Sequence, residues 1–169
     1  MEATRRVSAP LALLVDEDPM TRNVLRPLLR PHGLEVVQAR AGVAALELLQ
    51  RVARRFRLVV VSLEMEGVSG AVVLETVRLF RPELATICLT SAARAAAVAQ
   101  GCITKPAGSD ALRERITEAL CGAPGRMPAS RLAPQVIARA TEAFERAGSL
   151  MAAAREIGLG MSDPRTSEP

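Results

Sequence analysis

The chain is 169 residues long, and its 49% hydrophobic and 24% charged residues predict one globular domain with an appendage rather than a disordered chain. The net charge of +4 is spread along the chain, so charge alone does not indicate a nucleic-acid partner. Aromatic residues make up 2%, which excludes an aromatic surface for stacking bases, and a single His excludes a His-based metal centre.

The first predicted strand is the apolar run Leu11–Val15, which ends abruptly at three acidic residues. Continuous apolar runs of this kind are typical of strands buried on both faces of a parallel sheet. A helix is expected to follow, with Asp18 as its N-cap and Pro19 at its first position. Pro27 lies inside this helix and is expected to kink it. The apolar residues expected on its buried face are Met20, Val24, Leu25, Leu28 and Leu29.

The alternation of strand and helix continues to residue 121. Five strands that alternate with helices predict a parallel sheet with helices on both faces, joined by right-handed crossovers. Only eleven residues separate Thr90 from Cys102, so the helix between them is expected to be short or distorted. The remaining strands are expected at residues 34–38, 58–61, 86–89 and 102–104, and the remaining helices at 43–52, 73–80, 92–100 and 112–120.

Composition separates this α/β region from less regular ends, because Gly and Pro concentrate just after residue 121. Beyond them, two apolar-periodic segments predict a helical hairpin. The expected parts are a flexible N-terminus (1–9), the α/β domain (10–121), a linker (122–131), a C-terminal helical hairpin (132–159) and a disordered tail (160–169).

The cysteines and the N-terminus indicate a cellular location. Cys88, Cys102 and Cys121 form no CxxC pair, so they are interpreted as reduced thiols of a cytosolic protein, the first two of them buried. The N-terminus lacks the apolar run of a signal peptide, and no stretch approaches 18 apolar residues. The chain is therefore expected to be cytoplasmic, with no membrane partner.

Polar side chains follow four of the predicted strands, at the carboxyl ends where functional groups of an open parallel sheet collect. Acids, a hydroxyl and a lysine at one edge favour a site for a divalent cation and a phosphoryl group. Structural alternatives stay open, because Asp18 and Thr90 could each simply cap a helix and Lys105 could be an ordinary surface residue. In chain order the candidates are Asp16, Glu17 and Asp18, then Ser62 and Glu64, then Thr90, then Lys105 with Pro106.

Four motifs contain these residues: LVDEDP at 14–19, VVVSLEMEGVSG at 59–70, LTS at 89–91 and TKP at 104–106. In this order they resemble the response-regulator receiver domain of two-component (phosphorelay) signalling. The resemblance covers about residues 10–121. It implies a flavodoxin-like, doubly wound fold whose five parallel strands have the order 2-1-3-4-5.

The resemblance also implies a role for each matching position. Asp16 and Glu17 match the acidic pair that holds Mg²⁺, and Thr90 matches the hydroxyl that senses the phosphoryl group. Lys105 matches the lysine that pairs with that group, and Pro106 matches a proline that is often joined to it by a cis bond.

The chain departs from this pattern at the residue that accepts the phosphoryl group. Ser62 stands in place of the phosphorylated aspartate, while Met65, Gly67 and Gly70 keep the loop in register. Serine is neutral near pH 7 and, without a base beside it, cannot take a phosphoryl group in the usual way. Cys102 replaces the aromatic switch residue that the family has on strand five.

These departures predict an atypical response regulator, a pseudo-receiver that is not an enzyme and acts by phosphorylation-independent protein–protein interaction or dimerisation. The Mg²⁺ site at Asp16 and Glu17 is expected to be weakened, with Glu64 as a further candidate ligand. The expected partners are a sensor histidine kinase, another response regulator or a second copy of this chain. Phosphorylation of the Ser62 hydroxyl by a serine kinase is a minor alternative.

A second function class stays open at the C-terminus. Residues 147–159 resemble the first helix and turn of a Fis-type helix-turn-helix, which would make the chain a DNA-binding transcription regulator. Gly160 and Pro164 stand where the recognition helix should form, so a hairpin used for packing or dimerisation is favoured. DNA is therefore an uncertain partner.

Overall fold

The five expected strands form one parallel sheet in the order β2-β1-β3-β4-β5, as the resemblance implied. The computed structural model describes residues 9–92, 102–122, 138–139 and 141–146. The strands are β1 (Leu11–Val15), β2 (Glu35–Ala39), β3 (Phe56–Ser62), β4 (Ala85–Ser91) and β5 (Cys102–Lys105). The helices are α1 (Pro19–Leu29), α2 (Gly42–Arg51), α3 (Gly70–Phe80) and α4 (Ser109–Cys121), with short 3-10 helices at Arg30–His32 and Ala53–Arg55.

The central strands are buried on both faces, because successive residues of a strand point to opposite sides of the sheet. Leu13 and Val59 pack in the cluster that faces α2 and α3, whereas Leu14 and Val60 pack in the cluster that faces α1 and α4. All five residues of β1 are buried, which explains why its sequence is apolar without alternation. None of the helices in the described part of the chain has the length and apolar character that a membrane span requires.

The start of α1 is as expected. The Asp18 side chain accepts hydrogen bonds from the backbone N–H groups of Met20 and Thr21, and Pro19 is the first helical residue. The bond from the Thr21 hydroxyl, followed by the bond from the Met20 backbone, lowers the pKa of Asp18. Pro27 lies inside the helix.

The buried face of α1 differs from the expected one. Met20 and Val24 are 67% and 49% exposed, so placing them in the core was wrong. At about 100° per residue, Val24 and Met20 lie about 100° and 140° from Leu25 around the helix, outside the buried stripe, whereas Arg22 lies about 60° from Leu25 and is buried. The buried members of the predicted stripe are Leu25, Leu28 and Leu29.

The strands extend further at their carboxyl ends than apolar patterning predicts. Ser62 pairs with Leu89, and Ser91 pairs with Lys105, although none of the three polar side chains belongs to an apolar run. Ladder hydrogen bonds are made by the backbone, so a strand can continue past its last apolar side chain. β2 begins one residue later than predicted and spans Glu35–Ala39 instead of 34–38. Leu34 is buried just before the strand, which is why apolar patterning places it in the strand.

Part of the predicted C-terminal helix packs on the domain. Residues 138–139 and 141–146 are helical. The Phe144 ring stacks on Phe80 of α3, with 4.5 Å between the ring centroids, and the Gln50 amide donates to the Phe144 carbonyl. The predicted linker, tail and flexible N-terminus, the helix at 92–100 and the remainder of the hairpin lie outside the described residues, except at their margins.

Cys88 and Cys102 are joined in a disulfide, so the expectation that both are reduced thiols is wrong. The two residues are direct partners in the β4–β5 ladder, and their Cα atoms are 4.7 Å apart, within the range that a disulfide spans. Sequence spacing could not indicate this pair, because the strand register brings the two thiols together. Cys121 is a free, exposed thiol.

Candidate functional site

The site lies at the carboxyl edge of the sheet, where four strands end side by side. Asp16 directly follows β1, Ser62 ends β3, Thr90 lies near the end of β4, and Lys105 ends β5. Asp16, Ser62 and Thr90 are all buried, with exposed fractions of 2%, 0% and 1%. The structure therefore gathers at one edge the residues that the sequence analysis singled out at four separate strand ends.

Lys105 connects the ends of β1 and β3. Its Nζ donates to Asp16 Oδ2 at 3.1 Å and to Ser62 Oγ at 2.9 Å, and its peptide bond to Pro106 is cis. An ammonium has donors but no lone pair, so Lys105 in this pairing cannot act as a base for the Ser62 hydroxyl. Ser62 is thus a buried hydrogen-bond acceptor in this arrangement rather than an activated nucleophile.

The acidic loop after β1 is held by its own network. Asp16 Oδ1 accepts the Asp18 N–H at 2.9 Å, and Glu17 Oε1 accepts the Glu66 N–H at 2.5 Å. The guanidinium of Arg22 donates to the carbonyls of Asp16 and Glu17, at 2.5 and 3.0 Å. Sequence reasoning missed Arg22, although a basic residue on the apolar face of α1 is a signal that could have identified it.

The carboxylate of Glu64 is bound to the end of β4. Its Oε1 accepts hydrogen bonds from Thr90 Oγ1 at 2.7 Å, from the Ser91 backbone N–H at 3.0 Å and from Ser91 Oγ at 3.2 Å. Burial raises the pKa of Glu64, but the bonds from Ser91 and Thr90 outweigh it and hold the pKa below the ordinary value of 4.5. Glu64 is therefore an anion at neutral pH. Ser91 is a second residue that sequence reasoning missed.

The resemblance implies Mg²⁺ as the cation at this edge of the sheet, and the side chains there would have to supply its ligands. Within the described residues, no three His, Cys, Asp or Glu side chains lie together in a way that could hold a metal ion. Asp16 is paired with Lys105, Ser62 offers a hydroxyl in place of a carboxylate, and Glu64 is directed to Thr90 instead. These residues as arranged do not fit a three-ligand Mg²⁺ centre, and the weak site at Asp16 and Glu17 stays a prediction.

The loop after β3 has the shape that its glycines require. Gly67 has a φ of +70°, a backbone conformation that L side chains rarely adopt. Gly70 begins α3 directly against the Ser62 backbone, so a Cβ at this position would collide with the Ser62 carbonyl. Gly67 and Gly70 therefore fix the course of the loop that leads from Ser62 to α3.

A groove lies beside the site, between α1 and the segment that joins β5 to α4. It encloses about 480 Å³, and its walls are mainly apolar. The exposed side chains of Met20 and Val24 form one rim, and Pro106, Ala107 and Leu112 line the other side. Solvent-exposed apolar side chains grouped along a groove are typical of surfaces that bind another protein.

Comparison with known proteins gives the family. Residues 12–117 match the Response regulator receiver domain family. The Transcriptional regulatory protein GlrR of Escherichia coli (strain K12) and the Transcriptional regulatory protein QseF of Escherichia coli O157:H7 are each 33% identical to this chain over 115 residues. The aligned region is 64% of this chain and 26% of each relative, so the chain spans about a quarter of the length of the curated relatives it matches.

Solved structures show the same fold. The response regulator receiver domain protein (CheY-like) from Methanospirillum hungatei JF-1 has 26% identity and a TM-score of 0.57, over 67% of this chain and 94% of that chain. The receiver domain of NtrX from Brucella abortus has 24% identity and a TM-score of 0.56, over 64% of this chain and 97% of that chain. With the family match over more than half of its length and the strand order β2-β1-β3-β4-β5, the chain belongs to the response regulator receiver domain family of two-component signalling.

Proposed function

We propose that this receiver domain is a pseudo-receiver, a non-catalytic cytoplasmic response regulator that acts by binding proteins without being phosphorylated. The observation that carries the proposal is the state of Ser62. It occupies the acceptor position at the end of β3, is 0% exposed, and accepts a hydrogen bond from Lys105. A neutral, buried hydroxyl bound to an ammonium lacks the anionic oxygen that in-line attack on a phosphohistidine requires.

The apolar groove supports a protein partner. Met20 and Val24 cost free energy while they face water, and burial of a large apolar side chain is worth about 1.5–3 kcal/mol. We expect the groove to take an apolar helix face of a sensor histidine kinase or of another response regulator. A second copy of this chain is the other partner proposed, which would make the protein a homodimer.

The test is the intact mass of the full chain after incubation with acetyl phosphate and Mg²⁺, beside a Ser62→Asp variant. We expect no added phosphoryl group on the wild-type chain, because Ser62 has neither charge nor base. An adduct on Ser62→Asp would demonstrate that the donor is active and that the pocket lacks only its acceptor. An adduct on the wild-type chain would overturn the proposal, because another group would then accept phosphate.

A second candidate function is DNA binding through the C-terminal segment. It is favoured by the resemblance of residues 147–159 to part of a helix-turn-helix and by the names of the two curated relatives, which call them transcriptional regulatory proteins. A gel shift at two ionic strengths tests it, because a complex that neutralises phosphates must weaken steeply as salt rises. No shift at low salt would exclude this candidate.

A further inference from the structure

We infer that Glu64 is a built-in ligand of the phosphate-sensing end of β4, formed by Thr90 and Ser91, and holds it in one conformation without a phosphoryl group. The inference rests on the proposed function, because only a domain that is not phosphorylated leaves these donors to a side chain. It assigns a regulatory role to a residue that the family pattern does not use.

The geometry of the contact is that of an anion site. Three donors, the Thr90 hydroxyl and the backbone N–H and hydroxyl of Ser91, converge on one oxygen, Glu64 Oε1, at 2.7 to 3.2 Å. A carboxylate oxygen and a phosphoryl oxygen are both anionic acceptors, and hydrogen bonds to an anion are about twice as strong as neutral ones. The donors that would sense a phosphoryl oxygen at position 62 are therefore already satisfied by the chain itself.

The strand register explains why residue 64 reaches this position. Ser62 is paired with Leu89, and the Leu63 N–H donates to the Leu89 carbonyl at 2.8 Å, so β3 and β4 stay together to the end of β3. The loop then carries Glu64 beside Thr90 and Ser91. Neighbouring strands lie about 4.8 Å apart, so a side chain shortened by one methylene, as in Glu64→Asp, would reach the donors less well.

The contact makes Glu64 and a phosphoryl group competitors. Each donor hydrogen can serve one acceptor at a time, so a phosphoryl oxygen could bind Thr90 and Ser91 only after the Glu64 carboxylate had moved away. The absence of a phosphate-accepting aspartate at position 62 and the presence of the Glu64 carboxylate therefore have the same effect on β4. Both fix the end of β4 in the state in which its donors hold an anion.

The experiment follows the Ser91 amide signal in ¹H–¹⁵N NMR spectra of the full chain. In Glu64→Ala we expect the Ser91 signal to move upfield and its amide hydrogen to exchange at least tenfold faster, because its acceptor is gone. Acetate, added as the probe at constant ionic strength, should occupy the vacated site and return the signal toward the wild-type position. Glu66→Ala, in the same loop but with an exposed side chain, is the matched control and should leave Ser91 nearly unchanged.

If Glu64→Ala fails to fold, Glu64→Met carries the test, since it keeps nearly the size of the side chain and removes both carboxylate oxygens. An unmoved Ser91 signal in either folded variant would overturn the inference, and so would acetate that restores no more than chloride does. These results are independent of the phosphorylation test. A phosphoryl adduct on the wild-type chain would refute the proposed function, whereas a Ser91 signal insensitive to Glu64 would refute only the role of Glu64.

Discussion

Beneath the acidic loop, the one positive charge of Lys105 is matched by the one negative charge of Asp16. Lys105 brings one positive charge to Asp16, which is almost fully buried, and Ser62 adds none. An aspartate at position 62 would place a second carboxylate on the same ammonium, and the excess negative charge would favour a divalent cation. In the proposed pseudo-receiver, the serine would therefore remove the phosphate acceptor and, in the same step, much of the electrostatic reason to bind a metal ion.

The Glu64 contact has a pH dependence of known sign. The folded state lowers the pKa of Glu64 from 4.5, so its contribution to stability is complete above that value and is lost as the pH falls through the folded pKa. We expect the difference in unfolding free energy between wild type and Glu64→Gln to be largest at neutral pH and to shrink below about pH 4.5.

Urea denaturation at several pH values measures this difference. Thr90→Val removes one of the three donors to Glu64. In a chain that carries this substitution, the effect of Glu64→Gln on the unfolding free energy should change less with pH. A difference that stays constant from pH 7 to pH 3.5 would contradict the assigned hydrogen bonds.

At the scale of strands and helices, sequence patterns predicted the features that depend only on residues close together in the chain. The apolar runs around Leu13 and Val59 gave two central strands, and Asp18 with Pro19 marked the start of α1. The N-terminal cap needs only neighbours within three residues, and burial on both faces needs only an apolar composition. The parallel α/β architecture and the list of residues at the strand ends could therefore be predicted from these patterns, whereas the order of the strands came from the resemblance to the family.

The contacts between those ends could not be predicted, because they join residues far apart in the chain. Lys105 to Ser62 spans 43 residues and Thr90 to Glu64 spans 26, so each depends on the register of several strands. The same holds for Cys88 and Cys102, whose pairing follows from the β4–β5 ladder. Resemblance to a family could not supply them either, since Ser62, Glu64 and Cys102 are not its motif residues.

The disulfide allows a prediction about β5, an edge strand of four residues. A bond between Cys88 and Cys102 closes a loop with a sequence separation of 14 and should stabilise the oxidised chain by about 3 kcal/mol. We expect a Cys121→Ser variant, which cannot pair between molecules, to unfold at lower temperature after reduction.

Thiol counting is the control for this experiment. In the native wild-type chain kept without reductant, only Cys121 should react with a maleimide, and three thiols should react after reduction in denaturant. Three reactive thiols before reduction would contradict the disulfide.

At the scale of the whole molecule, two surfaces lie on opposite faces of the sheet. Ala143 and Phe144 pack against the cluster that faces α2 and α3, whereas the apolar groove lies between α1 and the segment that joins β5 to α4. A protein that enters the groove therefore need not displace the described part of the C-terminal segment. Partner binding and C-terminal packing are separable in this arrangement.

The packing of the C-terminal segment can be measured through one residue. Phe144→Ala removes the ring that stacks on Phe80 and should lower the unfolding free energy by about 1 kcal/mol. Glu142→Ala is the matched control, because its exposed ion pair with Arg146 contributes little. Equal effects of the two variants in urea denaturation would show that the stack does not anchor the segment.

The Glu64 carboxylate also bears on how long a signal lasts. An acyl phosphate on an aspartate hydrolyses, and its lifetime sets the time after which an ordinary receiver resets. A glutamate held to its backbone by carbon–carbon bonds has no such lifetime, so the anion bound to Thr90 and Ser91 cannot decay. Output from this domain would then depend on how much of the protein the cell makes and degrades. Its partners would respond to the concentration of the protein and not to the time since a phosphorylation event.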